Sequence, residues 1–127
     1  MNRLDSINFL KDLDEEALVF IDDRLQEVTV PIGGHVVKAG DHAYRFFVIF
    51  EGTAIVSQDG QVMATLGAGD VFGEMALLED LRRNADVVAA TDMRLGVLRS
   101  WDFREAARTY SSFQNRIDDL GVKRSVG

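Results

Sequence analysis

The chain has 127 residues, 46% hydrophobic and 28% charged, with a formal net charge of −7, and so has the length and make-up of about one globular domain spanning residues 1–127. It contains no cysteine, which excludes disulfides, thiolate zinc sites, cysteine-ligated iron–sulfur clusters and a cysteine nucleophile. The acidic balance argues against direct nucleic-acid binding by broad phosphate neutralisation.

No apolar run approaches the ~20 residues of a membrane span. The start, Met1-Asn2-Arg3-Leu4-Asp5, lacks the basic region and apolar core of a signal peptide, so the expected location is the cytoplasm.

Within the N-terminal helical segment, residues 1–25, the apolar positions Leu10, Leu13, Ala17, Leu18, Ile21 and Leu25 recur at helical spacing. Asp14 reads as an N-cap, and Glu15 with Glu16 as an acidic first turn. One amphipathic helix is predicted over residues 14–25.

From Val28 the pattern changes to short β-type runs at residues 28–30, 35–38, 45–50, 54–57, 62–66 and 87–97. Turn signals divide them at Gly33-Gly34, Gly40-Asp41, Glu51-Gly52, Asp59-Gly60, Gly67 and Gly69-Asp70. Their regular spacing suits an antiparallel barrel or double-sheet jelly roll over residues 26–99, with Asp59-Gly60 as a hairpin turn. Helical periodicity returns over residues 100–120: Trp101, Phe103, Ala106, Ala107 and Tyr110 form one helix, and Phe113, Ile117 and Leu120 a second that Ser111 or Ser112 can cap. Residues 121–127 read as a frayed tail.

The run Phe72-Gly73-Glu74-Met75-Ala76-Leu77-Leu78, followed by Arg82-Arg83-Asn84-Ala85, carries the chemistry. A short helical turn over residues 74–78 leaves its first amides without intrahelical partners, and a phosphate oxygen accepts from such amides at the positive end of the helix dipole. Gly73 lets a ligand approach the backbone closely. Arg83 supplies the countercharge through a guanidinium fork. A carboxylate at Glu74 would repel a bare phosphate, so its task is to accept a hydroxyl proton beside it. Together Glu74 and Arg83 favour a ribose phosphate over an inorganic anion.

The string FGEMALLEDLRRNADVVA resembles the phosphate-binding cassette of the cyclic nucleotide-binding domains, found in catabolite-activator-type regulators, cyclic-nucleotide-dependent kinases and gated channels. The resemblance covers about residues 9–120. It includes Leu13-Asp14-Glu15-Glu16-Ala17, Gly34, Gly40, Phe50-Glu51-Gly52, Asp59-Gly60, Gly67-Ala68-Gly69-Asp70 and Trp101-Asp102-Phe103.

This likeness implies a mainly β fold, a β-roll (double-stranded β-helix, or jelly roll) with an N-terminal helix, a short cassette helix within residues 72–86, and C-terminal hinge and lid helices. By the same likeness, Glu74 binds the ribose 2′-hydroxyl and Arg83 the cyclic phosphate of cAMP or cGMP. Backbone amides around Met75, Ala76 and Ala85 complete the cradle beside Gly73, and Val62 and Val71 face ribose and base.

Three positions depart from the family pattern. Arg82 stands in place of a usual proline, Asn84 in place of Thr, Ser or Ala at a position bearing on base selectivity, and Asp86 where a small or hydroxyl residue is common.

The expected role is a non-catalytic sensor that signals by movement of its C-terminal helices to an effector protein in trans. The alternatives are a ligand-independent interaction or homodimerisation module, with Glu74 and Arg83 as a structural ion pair, and a sensor fragment of a longer regulator. Phe113, Ile117 and Leu120 serve as lid, as dimer seam or as ordinary packing. Trp101 and Tyr110 read as core or hinge anchors rather than base-stacking residues. His35 and His42 lack a third clustered ligand, so no metal site is expected, and with neither metal nor activated nucleophile in the motif no enzyme is expected.

Overall fold

The computed structural model describes residues 3–41, 44–73 and 85–126, the side chains of residues 121–126 excepted. Two 3-10 turns, Arg3–Ser6 and Asn8–Leu10, lead into helix α1, Glu15–Arg24. The strands are β1 Gln26–Val30, β2 His35–Val37, β3 Arg45–Glu51, β4 Ala54–Gln58, β5 Gln61–Leu66, β6 Val71–Phe72, β7 Asp86–Ala89 and β8 Met93–Arg99. Helices α2, Ser100–Thr109, and α3, Ser111–Val126, close the described chain.

The strands form two antiparallel sheets, ordered β1-β8-β3-β6 and β2-β7-β4-β5. This is the predicted β-roll. Side-chain alternation along the strands divides the apolar residues between two cores. Phe47, Ile49, Phe72, Val87, Leu95 and Val97 fill the space between the sheets. Phe46, Val48, Phe50, Val71 and Leu98 point the other way and pack against Phe9, Ile21, Phe103 and Phe113 from the helical segments. Strand β3, inside the first sheet, is therefore buried on both faces, which is why it reads Phe46-Phe47-Val48-Ile49-Phe50 without a polar interruption. Gly96 leaves room for its neighbours: a Cβ there would lie 2.7 Å from both Leu25 Cδ2, just past α1, and Val48 Cγ2 of β3.

Several local expectations change. The single run predicted over residues 87–97 is two strands in different sheets, because the backbone turns at residues 90–92. Ala90 N–H donates to the Thr53 carbonyl at 2.9 Å, and Asp92 Oδ1 accepts from Ile32 N–H at 2.9 Å. These bonds tie down the turn between the sheets. The two-residue β6 is too short to leave a periodic signal in the sequence.

Asp14 occupies the N-cap position of α1, but its side chain makes no capping bond; Glu15 and Glu16 provide the favourable charge in the first turn. The Ser112 hydroxyl accepts from Asp14 N–H at 3.4 Å, tying α3 to the start of α1.

Arg3 fastens the N-terminal turn. Its Nε donates to Asp22 Oδ1 at 2.7 Å, Nη1 to Glu27 at 3.1 Å, and Nη2 to the carbonyls of Asp22 and Leu25. Burial opposes the guanidinium charge, but the hydrogen bonds and charges of Asp22 and Glu27 outweigh it and raise its pKa. Because the guanidinium pKa is raised above its already high ordinary value, the stabilisation from Arg3 ionisation is fully present below the unfolded pKa and is lost only as pH climbs through the still higher folded one. Among the described residues, no helix is long and apolar enough to cross a membrane.

Candidate functional site

The two ends of the predicted cassette are held by different sheets. At the first end, β6 pairs with β3 through Phe47↔Phe72 and Val48↔Val71. The Phe72 ring stacks on Phe47 with centroids 4.7 Å apart and planes 12° from parallel. Gly73 follows at φ +98°, a left-handed conformation that glycine adopts without a Cβ clash and that lets the chain leave the strand sharply.

At the second end, Ala85 is half-buried and Asp86 begins β7 opposite Ser57 of β4. Asp86 Oδ1 accepts from the Ala39 N–H at 2.9 Å. Val87 then enters the core between the sheets, paired with Val56 and Val37. Residues 74–84 thus connect the edge of one sheet to the middle of the other. The acidic side chain that departs from the family pattern at Asp86 has a structural task, as acceptor for a backbone N–H beyond β2.

Glu74, Met75, Ala76, Arg82, Arg83 and Asn84, and the predicted helical turn over residues 74–78, lie outside the described residues. Of the other predicted site residues, Gly73 and Ala85 flank this segment. Val62 lies on the outer strand β5, paired with Ser57 beyond a register irregularity, and is 62% exposed. Val71 is 3% exposed within the helix-facing core. The two-residue period explains its position, since Phe72 points between the sheets and Val71, one residue earlier, points to the helices.

A cleft of about 330 Å³ adjoins the first end of the cassette, sharing its Phe47 wall. Val36 and Val37 supply further apolar wall, and Lys38, Asp41, Tyr44 and Arg45 its polar rim. Arg45 lies two residues before Phe47 and is paired across the sheet with Arg99. Its Cζ is 5.4 Å from the Phe47 ring centroid. Two cations over an apolar, aromatic wall suit an anionic ligand with a planar group. Lys38, Tyr44 and Arg45 were not singled out from the sequence. The available signal was the arginine at the head of an apolar strand, but its neighbours come from β2 and the loop after it.

The C-terminal helices pack inward. Phe113 meets Phe9 edge-on at 5.8 Å and Phe103 at 5.4 Å. Phe113 and Ile117 are buried and Leu120 is half-buried against the same core. Of the three roles weighed for these residues, ordinary packing accounts for the first two. Trp101 departs from the expected core anchor: it is 60% exposed, with the Arg99 guanidinium 5.3 Å from its ring, and Phe103 takes the buried position. Helical spacing explains the exchange, since Phe103 and Ala106 share the face turned to the sheet.

Tyr110 is the joint between α2 and α3. Its N–H donates to Ala106, its carbonyl accepts from Phe113 and Gln114, and its ring lies 5.6 Å from Phe20 of α1.

A chain of hydrogen bonds joins the approach to β6 with α3. Gly69 N–H donates to the Ile49 carbonyl at 2.9 Å, and the Gly69 carbonyl accepts from Asn8 N–H at 3.3 Å. Arg116 of α3 in turn donates to the carbonyls of Phe9 at 3.0 Å and Asn8 at 3.1 Å. His35 is exposed on β2, and His42 lies outside the described residues. Among the described residues, no three His, Cys, Asp or Glu side chains cluster as a metal site.

Known proteins share this arrangement. The chain is 39% identical over 134 aligned positions to the cAMP-dependent protein kinase regulatory subunit of Schizosaccharomyces pombe, covering 96% of this chain and 32% of that protein. It is 36% identical over 91 positions to the cGMP-dependent protein kinase egl-4 of Caenorhabditis elegans, covering 72% of this chain and 12% of the kinase. The chain therefore spans from about an eighth to a third of these relatives.

Among solved structures, the regulatory domain of Toxoplasma gondii PKA, co-crystallised with cAMP, superposes with a TM-score of 0.86 at 25% identity. That match covers 98% of this chain and 48% of the other. The family model for the cyclic nucleotide-binding domain matches residues 27–110. With the β-roll, the glycine-led exit from β6 and the two-helix C-terminus all in place, this chain belongs to the cyclic nucleotide-binding domain family.

Proposed function

We propose that the chain is a non-catalytic sensor of a cyclic nucleotide, cAMP or cGMP, and that it reports occupancy to a protein partner in trans. Arg83 pairs with the cyclic phosphate and Glu74 accepts from the ribose 2′-hydroxyl. Amides around Gly73, Met75, Ala76 and Ala85 complete the anion cradle. The observation that carries this reading is the placement of the cassette ends: the Phe72–Phe47 stack and the Asp86–Ala39 bond hold the flanks of residues 74–84 to opposite sheets. A segment held in this way can clamp a small anion at low entropic cost, because its ends are already ordered.

Relatives named for cAMP and for cGMP leave the base open between the two. Output follows from the hydrogen-bond relay through Gly69, Asn8 and Arg116 and from the Tyr110 joint. A ligand that favours one placement of α3 over another shifts that equilibrium by its difference in affinity for the two states. The domain is a regulatory binding module in this reading, and the chemistry of any output belongs to the partner.

Titration calorimetry of nucleotide-free protein with cAMP, cGMP and 5′-AMP tests the proposal. Heat with one or both cyclic compounds and a much weaker response to 5′-AMP is the expected result. Absence of heat with all three would overturn it and favour a ligand-independent interaction module.

A further inference from the structure

Helix α1 carries apolar residues on two faces, one fully buried and the other only partly covered. Ala17 and Ile21 point inward and are buried. Val19, 52% exposed, lies on the outer side, and Phe20 and Tyr110 are half-buried at the edge of the core; an open depression of about 510 Å³ runs along the three. Its apolar part is Val19 and the uncovered edge of the Phe20 ring, which is tilted against Tyr110 at 5.6 Å.

The rim is acidic. Glu15, Glu16 and Asp23 line the cleft, and none of their carboxylates has an ion pair among the described residues. Among the described residues the lining holds one arginine, Arg24, and it is already engaged: its guanidinium lies 3.6 Å from the Phe20 ring centroid and its Nε 3.5 Å from Asp102.

From this geometry we infer that the outer face of α1, with Tyr110, is a docking surface for a cationic amphipathic helix of a partner protein. Charge complementarity selects the occupant. A second copy of this chain related by a two-fold axis would set these carboxylates against themselves, and an anionic membrane surface would be repelled. A helix that presents one row of aliphatic side chains flanked by lysine or arginine matches both features. Its aliphatic row covers Val19 and the edge of Phe20 that Arg24 leaves open, and its cations reach carboxylates separated by two turns of α1, a span of about 11 Å.

The surface includes the joint between α2 and α3, so an occupant would feel any displacement of that joint. This inference names the partner class for the output in trans and rests on that reading for its biological meaning, while the surface itself is testable without nucleotide.

The probe is a fluorescein-labelled helical peptide of about 18 residues, carrying a leucine row flanked by lysines. Its anisotropy is followed on titration with the full chain at about 50 mM and about 500 mM salt. Saturable binding that weakens with salt is expected. Asp23→Lys and Val19→Ser should each weaken it by at least about fivefold, whereas Asp118→Lys, the same charge reversal on α3, should change it by less than about twofold. Each variant is first matched to the parent by circular dichroism, so that a loss is read only from folded protein.

Equal losses from Asp23→Lys and Asp118→Lys, or equal binding of a peptide with glutamate in place of every lysine, would overturn the proposal. Calorimetry with cAMP and cGMP on the same sample separates the two readings. Nucleotide heat without peptide binding removes the docking surface and leaves the sensor. Peptide binding without nucleotide heat keeps the docking surface and removes the sensor.

Discussion

Arg116 donates from Nε to the carbonyl oxygen of Phe9 at 3.0 Å, across 107 residues of sequence. The guanidinium also reaches the Asn8 carbonyl at 3.1 Å, so one side chain joins the last helix to the N-terminal turn. Phe113, one helical turn earlier, buries its ring against Phe9. The polar clamp and the aromatic contact therefore fix the same pair of elements.

Arg116→Ala should lower the unfolding free energy by about 1–3 kcal/mol, the scale of losing hydrogen bonds from a charged donor. The nearby Asp119 oxygen, 4.0 Å from Nη1 and largely exposed, adds little to this figure. Urea denaturation with an unchanged m-value would measure it. A loss below about 0.3 kcal/mol would show that water replaces the clamp without penalty.

Arg83→Ala should reduce cyclic nucleotide affinity by about 2–5 kcal/mol, as expected when one partner of a desolvated charge pair is removed. Glu74→Gln should weaken binding of the ribonucleotide more than of its 2′-deoxy analogue. Calorimetry with both ligands makes the comparison, and equal losses would remove the hydroxyl assignment.

Gly96→Ala should destabilise the fold by about 1–3 kcal/mol through overpacking. Its new Cβ would fall 2.7 Å from Leu25 Cδ2 and from Val48 Cγ2. Both atoms belong to buried residues packed on the same, helix-facing side of the sheet, so neither has open space to retreat into. Thermal denaturation would detect the change as a lowered Tm.

Asp86→Ala removes the acceptor for the Ala39 N–H and should cost about 0.5–1.5 kcal/mol, since the bond is near the surface. Amide hydrogen exchange at Ala39 gives the site-specific readout. Faster exchange there, with α1 unaffected, is expected; unchanged protection would mean that the bond is not formed in solution.

Much of the fold was legible because its signals are local. Asp59-Gly60 has the positive φ values, +53° and +81°, that the hairpin turn was expected to need. Period-two alternation and glycine spacing located most strands, and the return of helical spacing after Leu98 located α2 and α3. The errors arose where a local signal competes with a distant partner. The run over residues 87–97 looked continuous because its apolar residues alternate through Ala90, yet bonds to Thr53 and Ile32 break it. Trp101 looked like an anchor by size, but the face of α2 that meets the sheet is set by Phe103.

For the site, the residue types and their order supplied the proposal: glycine, carboxylate and arginine at this spacing point to an anion with a hydroxyl beside it, and that proposal was drawn without coordinates. Which sheet holds each end of the cassette, the assignment of Asp86 to Ala39, the cleft beside Arg45 and the clamp from Arg116 to Phe9 were not readable in this way. Each depends on pairing between residues distant in the chain. Backbone preference and side-chain periodicity are short-range properties written into a few neighbouring residues. Contacts across the roll arise only when two sheets and three helices share the same buried surface.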